Sequence, residues 1–219
     1  MCGRYALTSP PAVIAERFGL AWALDVPPHY NIAPGQMIPV VRDAEQGREL
    51  ALLKWGLIPS WAKDASIGTR LINARGETLG DKPAFRNAYR RRHCLIPADA
   101  FYEWKAIAGR KQPYCIRMRD HALFGMAGLW EHWAAPNGQV VESCTIITVD
   151  ANALVGELHD RMPLILAPGD YDAWLAAGAK EIALPPAVAA EDLVYYPVSP
   201  LVSNARNDVP ACLIPIAAP

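Results

Sequence analysis

Apolar positions in this chain come in short bursts, separated by polar or proline-containing breaks, and that spacing predicts many short strands and few long helices. Met37 to Arg42 and Glu49 to Trp55 read as two strands joined by a polar loop. Further strands are predicted at Cys94 to Pro97, Phe101 to Lys105, Tyr114 to Met118, Leu123 to Trp130, Ser143 to Val149, Met162 to Leu166 and Leu193 to Val198. Ser9-Pro10-Pro11, running into Ala12 to Phe18, predicts a capped helix with proline in its first turn and Gly19 as its stop. Helices are also predicted over Pro83 to Arg92, Asn152 to Leu158 and Pro168 to Ala177. Asn31 to Gly35 reads as a turn, and Trp55 to Trp61 as a loop with two tryptophans able to face solvent. Strands and helices mix without regular alternation, so the expected class is α+β rather than a doubly wound sheet. No repeat, linker or low-complexity segment divides the chain, and one domain over residues 1–219 is expected.

Composition narrows the class. With 52% apolar and 20% charged residues, the 219-residue chain can build a sizeable core and is not disordered. Its longest apolar runs, such as Met162 to Ala167, are too short to span a bilayer, and nothing after Arg4 resembles a signal peptide. No membrane role is expected. The five cysteines are odd in number and scattered, which points to a reducing, cytoplasmic compartment rather than a disulfide framework. With no CxxC pair and dispersed histidines, neither a metal site nor a cofactor is expected.

The net charge of −1 gives no reason to expect a nucleic-acid partner, but its distribution does. Between Lys54 and Arg119 there are 14 Lys and Arg against 5 Asp and Glu, leaving 7 against 17 elsewhere. Such segregation suggests a basic face for an anionic partner. Arg90-Arg91-Arg92 alone reads as the solvated end of a helix.

The chemistry starts at Cys2. A side chain this small in second position normally permits removal of the initiator methionine, leaving a thiol and a free α-amine on one residue. An α-amine has a pKa of roughly 7.7–8.0, so part of it is neutral and nucleophilic at physiological pH. A 1,2-aminothiol condenses with an aldehyde to an imine and then closes to a five-membered thiazolidine, which an internal cysteine cannot do. Four other segments stand out: Asn73-Ala74-Arg75-Gly76-Glu77-Thr78, Phe101-Tyr102-Glu103-Trp104, His159-Asp160-Arg161-Met162-Pro163, and Trp55 through Trp61. Aromatic surroundings raise the pKa of a carboxyl such as Glu103 and suit it to general acid/base work. Read singly, each has a plain structural account: an ion pair for Glu103, a helix cap for His159, core packing for the tryptophans.

Taken together, these segments resemble the SRAP family of SOS-response-associated peptidase domains, or abasic-site processing proteins. The resemblance rests on six motifs in order, namely Met1-Cys2-Gly3-Arg4-Tyr5, Tyr30-Asn31-Ile32-Ala33-Pro34, Trp55-Gly56-Leu57-Ile58-Pro59 and the Asn73, Phe101 and His159 segments, and extends to Pro197-Val198-Ser199 and Asn204. It implies a β-rich single domain of short mixed strands with peripheral helices. It also implies that Cys2, freed of Met1, crosslinks to an abasic site in single-stranded DNA through a thiazolidine that shields the lesion. Removal of Met1 by the protein itself or an aminopeptidase, strand cleavage as a lyase and crosslink reversal belong to the same expectation. Carried over by motif, Asn73 positions Cys2 and the sugar, Glu103 is the general acid/base, and His159 polarises the opening sugar oxygen and assists reversal. Arg4, Arg75 and Arg161 hold flanking phosphates, Trp61 and Trp104 stack on bases, and Arg86 and Thr148 add weaker contacts. A monomer acting at the nucleoid is expected.

Three alternatives stay open on sequence grounds. An N-terminal-nucleophile amidohydrolase also begins Met-Cys-Gly. A cysteine peptidase would pair Cys2 with His159. A non-enzymatic single-strand binder would use the basic face and tryptophans without Cys2.

Overall fold

The structure, a computed structural model, describes residues 2–22, 24–176 and 183–217, and among these residues thirteen strands pair into two sheets. In chain order the strands are β1 (Tyr5–Leu7), β2 (His29–Ile32), β3 (Met37–Ala44), β4 (Gly47–Trp55), β5 (Asn73–Arg75), β6 (His93–Ala98) and β7 (Ala100–Ile107). They continue as β8 (Arg110–Met118), β9 (Phe124–Ala134), β10 (Val140–Asp150), β11 (Arg161–Pro163), β12 (Ile165–Leu166) and β13 (Leu193–Pro197). Among the described residues the α-helices are α1 (Pro11–Phe18), α2 (Arg86–Arg91) and α3 (Tyr171–Leu175). The fold is therefore α+β with strands dominant.

One sheet has the order β13-β8-β7-β1-β2. The other runs β11-β10-β4-β3-β6-β9-β12, and a further β9–β10 ladder closes strands β10, β4, β3, β6 and β9 into a ring. Closure removes the free edges of those five strands and encloses a core of Ile38, Val40, Leu53, Cys94, Ile96, Met126 and Ile146, all essentially inaccessible to solvent. The first sheet is covered on both faces. Along β1, Tyr5 and Leu7 enter the main core, while Ala6 joins a second cluster with Ala100, Tyr102, Cys115, Val198, Val202 and Cys212. That double burial explains why the Phe101 segment reads as nearly continuous apolar sequence.

The expected strands form, most of them longer than their apolar runs. Met162 to Leu166 instead splits into β11 and β12, because Leu164 donates its N–H to Ile147 and accepts from Ala127. The expected helix over Pro168 to Ala177 is a 3-10 turn at Pro168–Asp170 followed by α3, and Ala177 lies outside the described residues. Asn152 to Leu158 reduces to a 3-10 turn at Val155–Glu157, entered through a capping bond in which the Asn152 side chain accepts from the Val155 N–H (3.0 Å). Asn31 and Ile32, expected in a turn, end strand β2. Helix α1 stops at Gly19 in the left-handed region (φ 64°), yet Ser9 does not cap it: its hydroxyl donates to Asp99 at 2.6 Å. Trp55 is buried and donates from Nε1 to the Ile72 carbonyl, whereas Trp61 is 57% exposed. All five cysteines are free and buried. No helix among the described residues is long and apolar enough to cross a membrane.

Candidate functional site

Three strands meet at the beginning of the chain. β1 lies inside its sheet, between the edge strand β2 and β7, with Tyr5 opposite Phe101. The Tyr102 N–H continues that ladder by donating to the Arg4 carbonyl at 3.0 Å, which sets Glu103 alongside the first residues. From the other sheet, β10 holds β5 in parallel register, with Ile146 opposite Asn73 and Thr148 opposite Arg75. The other edge of β10 pairs with β11, placing Asp150 opposite Arg161. One strand thus carries the Asn73 and His159 segments on its two edges.

Asn73 closes the gap between the sheets: its Nδ2 donates to the Cys2 carbonyl at 2.9 Å. Cys2 is fully buried. Burial, reinforced by the charge of Glu103, pushes its thiol well above the ordinary value, against the pull of the chain's amino terminus and the Arg4 N–H. Glu103 is 3% exposed, and burial raises its carboxyl above the ordinary range, partly offset by the positive charges of the chain's amino terminus and His159.

His159 faces the same opening. Its Nδ1 lies 2.8 Å from the Asp160 carboxylate and 3.0 Å from the Arg161 N–H. These contacts ask opposite things of one nitrogen. A bare Nδ1 accepts from Arg161 and leaves the proton on Nε2, whereas a protonated Nδ1 donates to Asp160. The ring is therefore held in place in either protonation state.

Arg4, Glu103, Trp104, Lys111, His159 and Ser203 line a shallow cleft of about 530 Å³. Arg4 is anchored inward, with Nη1 donating to Asn31 Oδ1 (2.9 Å) and the Val202 carbonyl (2.8 Å), and its guanidinium lies 5.9 Å from the centre of the Trp104 ring. Asn31 in turn donates to the carbonyls of Val202, Asn204 and Asn207, tying the C-terminal segment to β2. Trp104 is oriented by its Nε1–H, which donates to Ser203 Oγ at 3.0 Å.

Arg161 is spent inside the protein. Its guanidinium makes a two-pronged contact with Glu77 (2.8 and 2.9 Å), a 2.6 Å contact with Asp150 and a 2.6 Å bond to the Thr148 carbonyl. Thr148 is itself fully buried. Arg75 and Arg86 are exposed, and Trp61 donates from Nε1 to the Pro83 carbonyl, in the segment leading to Arg86. The structure therefore gathers Cys2, Asn73, Arg4, Glu103, Trp104 and His159, while Trp61 and Arg86 form a separate exposed group. Within the basic triplet, Arg90 and Arg91 face solvent and Arg92 turns inward to Glu131 (2.8 Å). Sequence reasoning missed Lys111 and Ser203 in the cleft, which no motif marks, and the bracing roles of Asn31 and Glu77, although both lie inside quoted motifs. Among the described residues no three His, Cys, Asp or Glu side chains converge in a way that could hold a metal ion.

Comparison with known proteins places the chain in a family. Residues 1–205 match the SOS response associated peptidase (SRAP) family. The chain is 41% identical over 218 residues to the abasic site processing protein YoqW of Bacillus subtilis, covering 96% of this chain and 97% of that one. It is 32% identical to the abasic site processing protein HMCES of Xenopus tropicalis, covering 99% of this chain and 78% of that one. A crystal structure from Bordetella bronchiseptica superposes with a TM-score of 0.79 at 31% identity, over 90% of this chain and all of that one. Another, from Bacteroides thetaiotaomicron, shares the fold with a TM-score of 0.86 at 24% identity, over 98% of this chain and all of that one. The chain belongs to the SRAP family.

Proposed function

We propose that this protein processes abasic sites in single-stranded DNA by capturing the lesion on Cys2 as a thiazolidine, once Met1 has been removed. Relatives named as abasic site processing proteins support the general role. The observation that carries the chemistry is Glu103, a buried carboxyl with a raised pKa beside the chain's first residues and in one cleft with His159.

Hydrolysis of the Met1–Cys2 bond turns the Cys2 amide nitrogen into an amine. The abasic sugar must open from its closed hemiacetal, and His159 donates a proton to the ring oxygen as the C1 hydroxyl loses its own. The Cys2 amine adds to the aldehyde carbon, forming a C–N bond, and Glu103 protonates the departing hydroxyl so that water leaves and an imine remains. The Cys2 sulfur adds to the same carbon, and the thiol proton passes to nitrogen, giving the neutral ring. A peptidase dyad would need a thiolate of lowered pKa, whereas burial here pushes the thiol upward.

Asn73 holds the Cys2 carbonyl and so fixes the angle at which the nucleophile meets the sugar. Trp61 and Trp104 offer faces on which unpaired bases stack, and Arg75 and Arg86 are exposed guanidiniums for phosphates. Arg4 steadies Trp104 from beneath, and Arg161 and Thr148 act by fixing the β10–β11 edge from which His159 projects. Lyase cleavage and reversal would use the same imine before ring closure. We read the acting species as a monomer with no cofactor.

The test is a denaturing gel of the mature protein mixed with a single-stranded oligonucleotide carrying one abasic site. A heat-stable shifted band is expected, absent with Cys2→Ala and absent without the lesion. A band of equal intensity with Cys2→Ala would overturn the thiazolidine.

A further inference from the structure

Two arginines of the site's motifs, Arg4 and Arg161, are engaged by partners inside the protein. Nη1 of Arg4 is committed to Asn31 and Val202, and Arg161 to Glu77, Asp150 and Thr148. A single strand threading past Glu103 and His159 nevertheless brings phosphates on both sides of the lesion. Those phosphates need a cation that does not have to break an internal bond first.

Lys111 meets that need. It lies on β8, opposite Ala106 of β7, one step beyond the Lys105–Gln112 pair and in the same hairpin as Glu103 and Trp104. It lines the cleft, is exposed, and its ammonium has no hydrogen bond or ion pair among the described residues. On the same wall, Ser203 Oγ accepts from Trp104 and keeps its own O–H proton to donate. An indole face, an uncommitted ammonium and a hydroxyl donor on one wall suit one nucleotide step: a base on Trp104, its phosphate on Lys111 and Ser203.

We propose that Lys111 is the phosphate-contacting residue of the cleft on the Trp104 side, with Ser203 as a second donor. The inference rests on the single-strand reading above and assigns the strand's contact on that side. Lys111 touches the backbone and not the reacting atoms, so its signature is electrostatic. Each phosphate neutralised on a single strand adds about 0.7 to the slope of log affinity against log salt.

The experiment measures binding of the mature protein to a labelled single strand carrying a tetrahydrofuran abasic analogue, which has no aldehyde, across a salt series. Lys111→Ala is expected to lower the slope by about 0.7 and to weaken binding most at low salt. Lys111→Arg should restore the slope, and Ser203→Ala should weaken binding without changing it. A wild-type slope in Lys111→Ala would overturn the assignment while leaving the single-strand reading intact. Failure of the wild-type protein to bind the strand at all would overturn both.

Discussion

The Asn73 carboxamide is half used: Nδ2 donates to the Cys2 carbonyl at 2.9 Å, while Oδ1 is buried with no hydrogen-bond partner among the described residues. A buried amide oxygen left unsatisfied costs about 1–3 kcal/mol, so the site carries a cost that a bound donor would relieve. The hydroxyl of an opened sugar, or the amine released by loss of Met1, is such a donor. Asn73→Ala is expected to slow crosslinking at saturating DNA by at least about tenfold, consistent with loss of roughly 1.4 kcal/mol of positioning. Its melting temperature should fall little, because the orphaned oxygen disappears with the lost bond. Single-turnover crosslinking alongside thermal unfolding checks both.

Glu103 links activity to stability with a definite sign. Its folded pKa lies above the ordinary 4.5, chiefly because burial disfavours the charge. Between 4.5 and the raised value the folded chain holds a proton that the unfolded chain has released. The stability from that proton is therefore present at the acid end of the window and lost as pH rises through it. Glu103→Gln should flatten this dependence and melt higher than wild type at neutral pH, while slowing crosslinking by about 10²–10⁴. A variant that melts below wild type and reacts at the wild-type rate would show that the carboxylate is a structural ion.

Arg161 is expected to behave as a brace. Its partners Glu77 and Asp150 have 48% and 89% exposed side chains, so solvent screens part of each contact, and Arg161→Ala should cost about 1–2 kcal/mol. Crosslinking should slow as the His159 segment loosens. The salt slope of noncovalent binding should stay at its wild-type value, in contrast to Lys111→Ala. A slope reduced by about 0.7 would instead place the Arg161 guanidinium on a phosphate.

His93 provides a stability readout away from the cleft. It stacks on Trp174 (4.1 Å between ring centres), and its two nitrogens lie 2.8 Å from the Trp174 carbonyl and 2.6 Å from the Tyr89 carbonyl. Burial pushes its pKa below the ordinary 6.5, while the two carbonyls pull it partly back. The unfolded chain therefore takes up a proton first on acidification, and stability should fall as pH drops below 6.5. His93→Gln is expected to melt lower overall but with a shallower fall in this range, measured by unfolding between neutral and mildly acid pH.

The fold was legible where the apolar run is long. β3 and β4 emerge from Met37 to Arg42 and Glu49 to Trp55 because eight paired positions support them. β1, β2 and β5 were invisible as strands, since three or four residues carry no period of their own and owe their extension to neighbouring chains. The grouping of the candidate site was legible for a different reason: Cys2, Asn73, Glu103 and His159 sit in motifs whose residue types have few other uses together. What the motifs hide is commitment. Arg4 and Arg161 look like ligands for phosphate in sequence, and only the positions of Asn31, Glu77 and Asp150 reveal that their charges are answered from within.

The place of β1 between β2 and β7 also has a meaning for synthesis. The first residues to leave the ribosome become a strand that waits for partners at Ile32 and Phe101, and Arg4 waits for the carbonyl of Val202. Such long-range pairing delays assembly until most of the polypeptide has been translated. A nascent or truncated chain therefore holds Cys2 with no carboxyl, imidazole or carboxamide beside it, and only the finished molecule brings Glu103, His159 and Asn73 to its first residues.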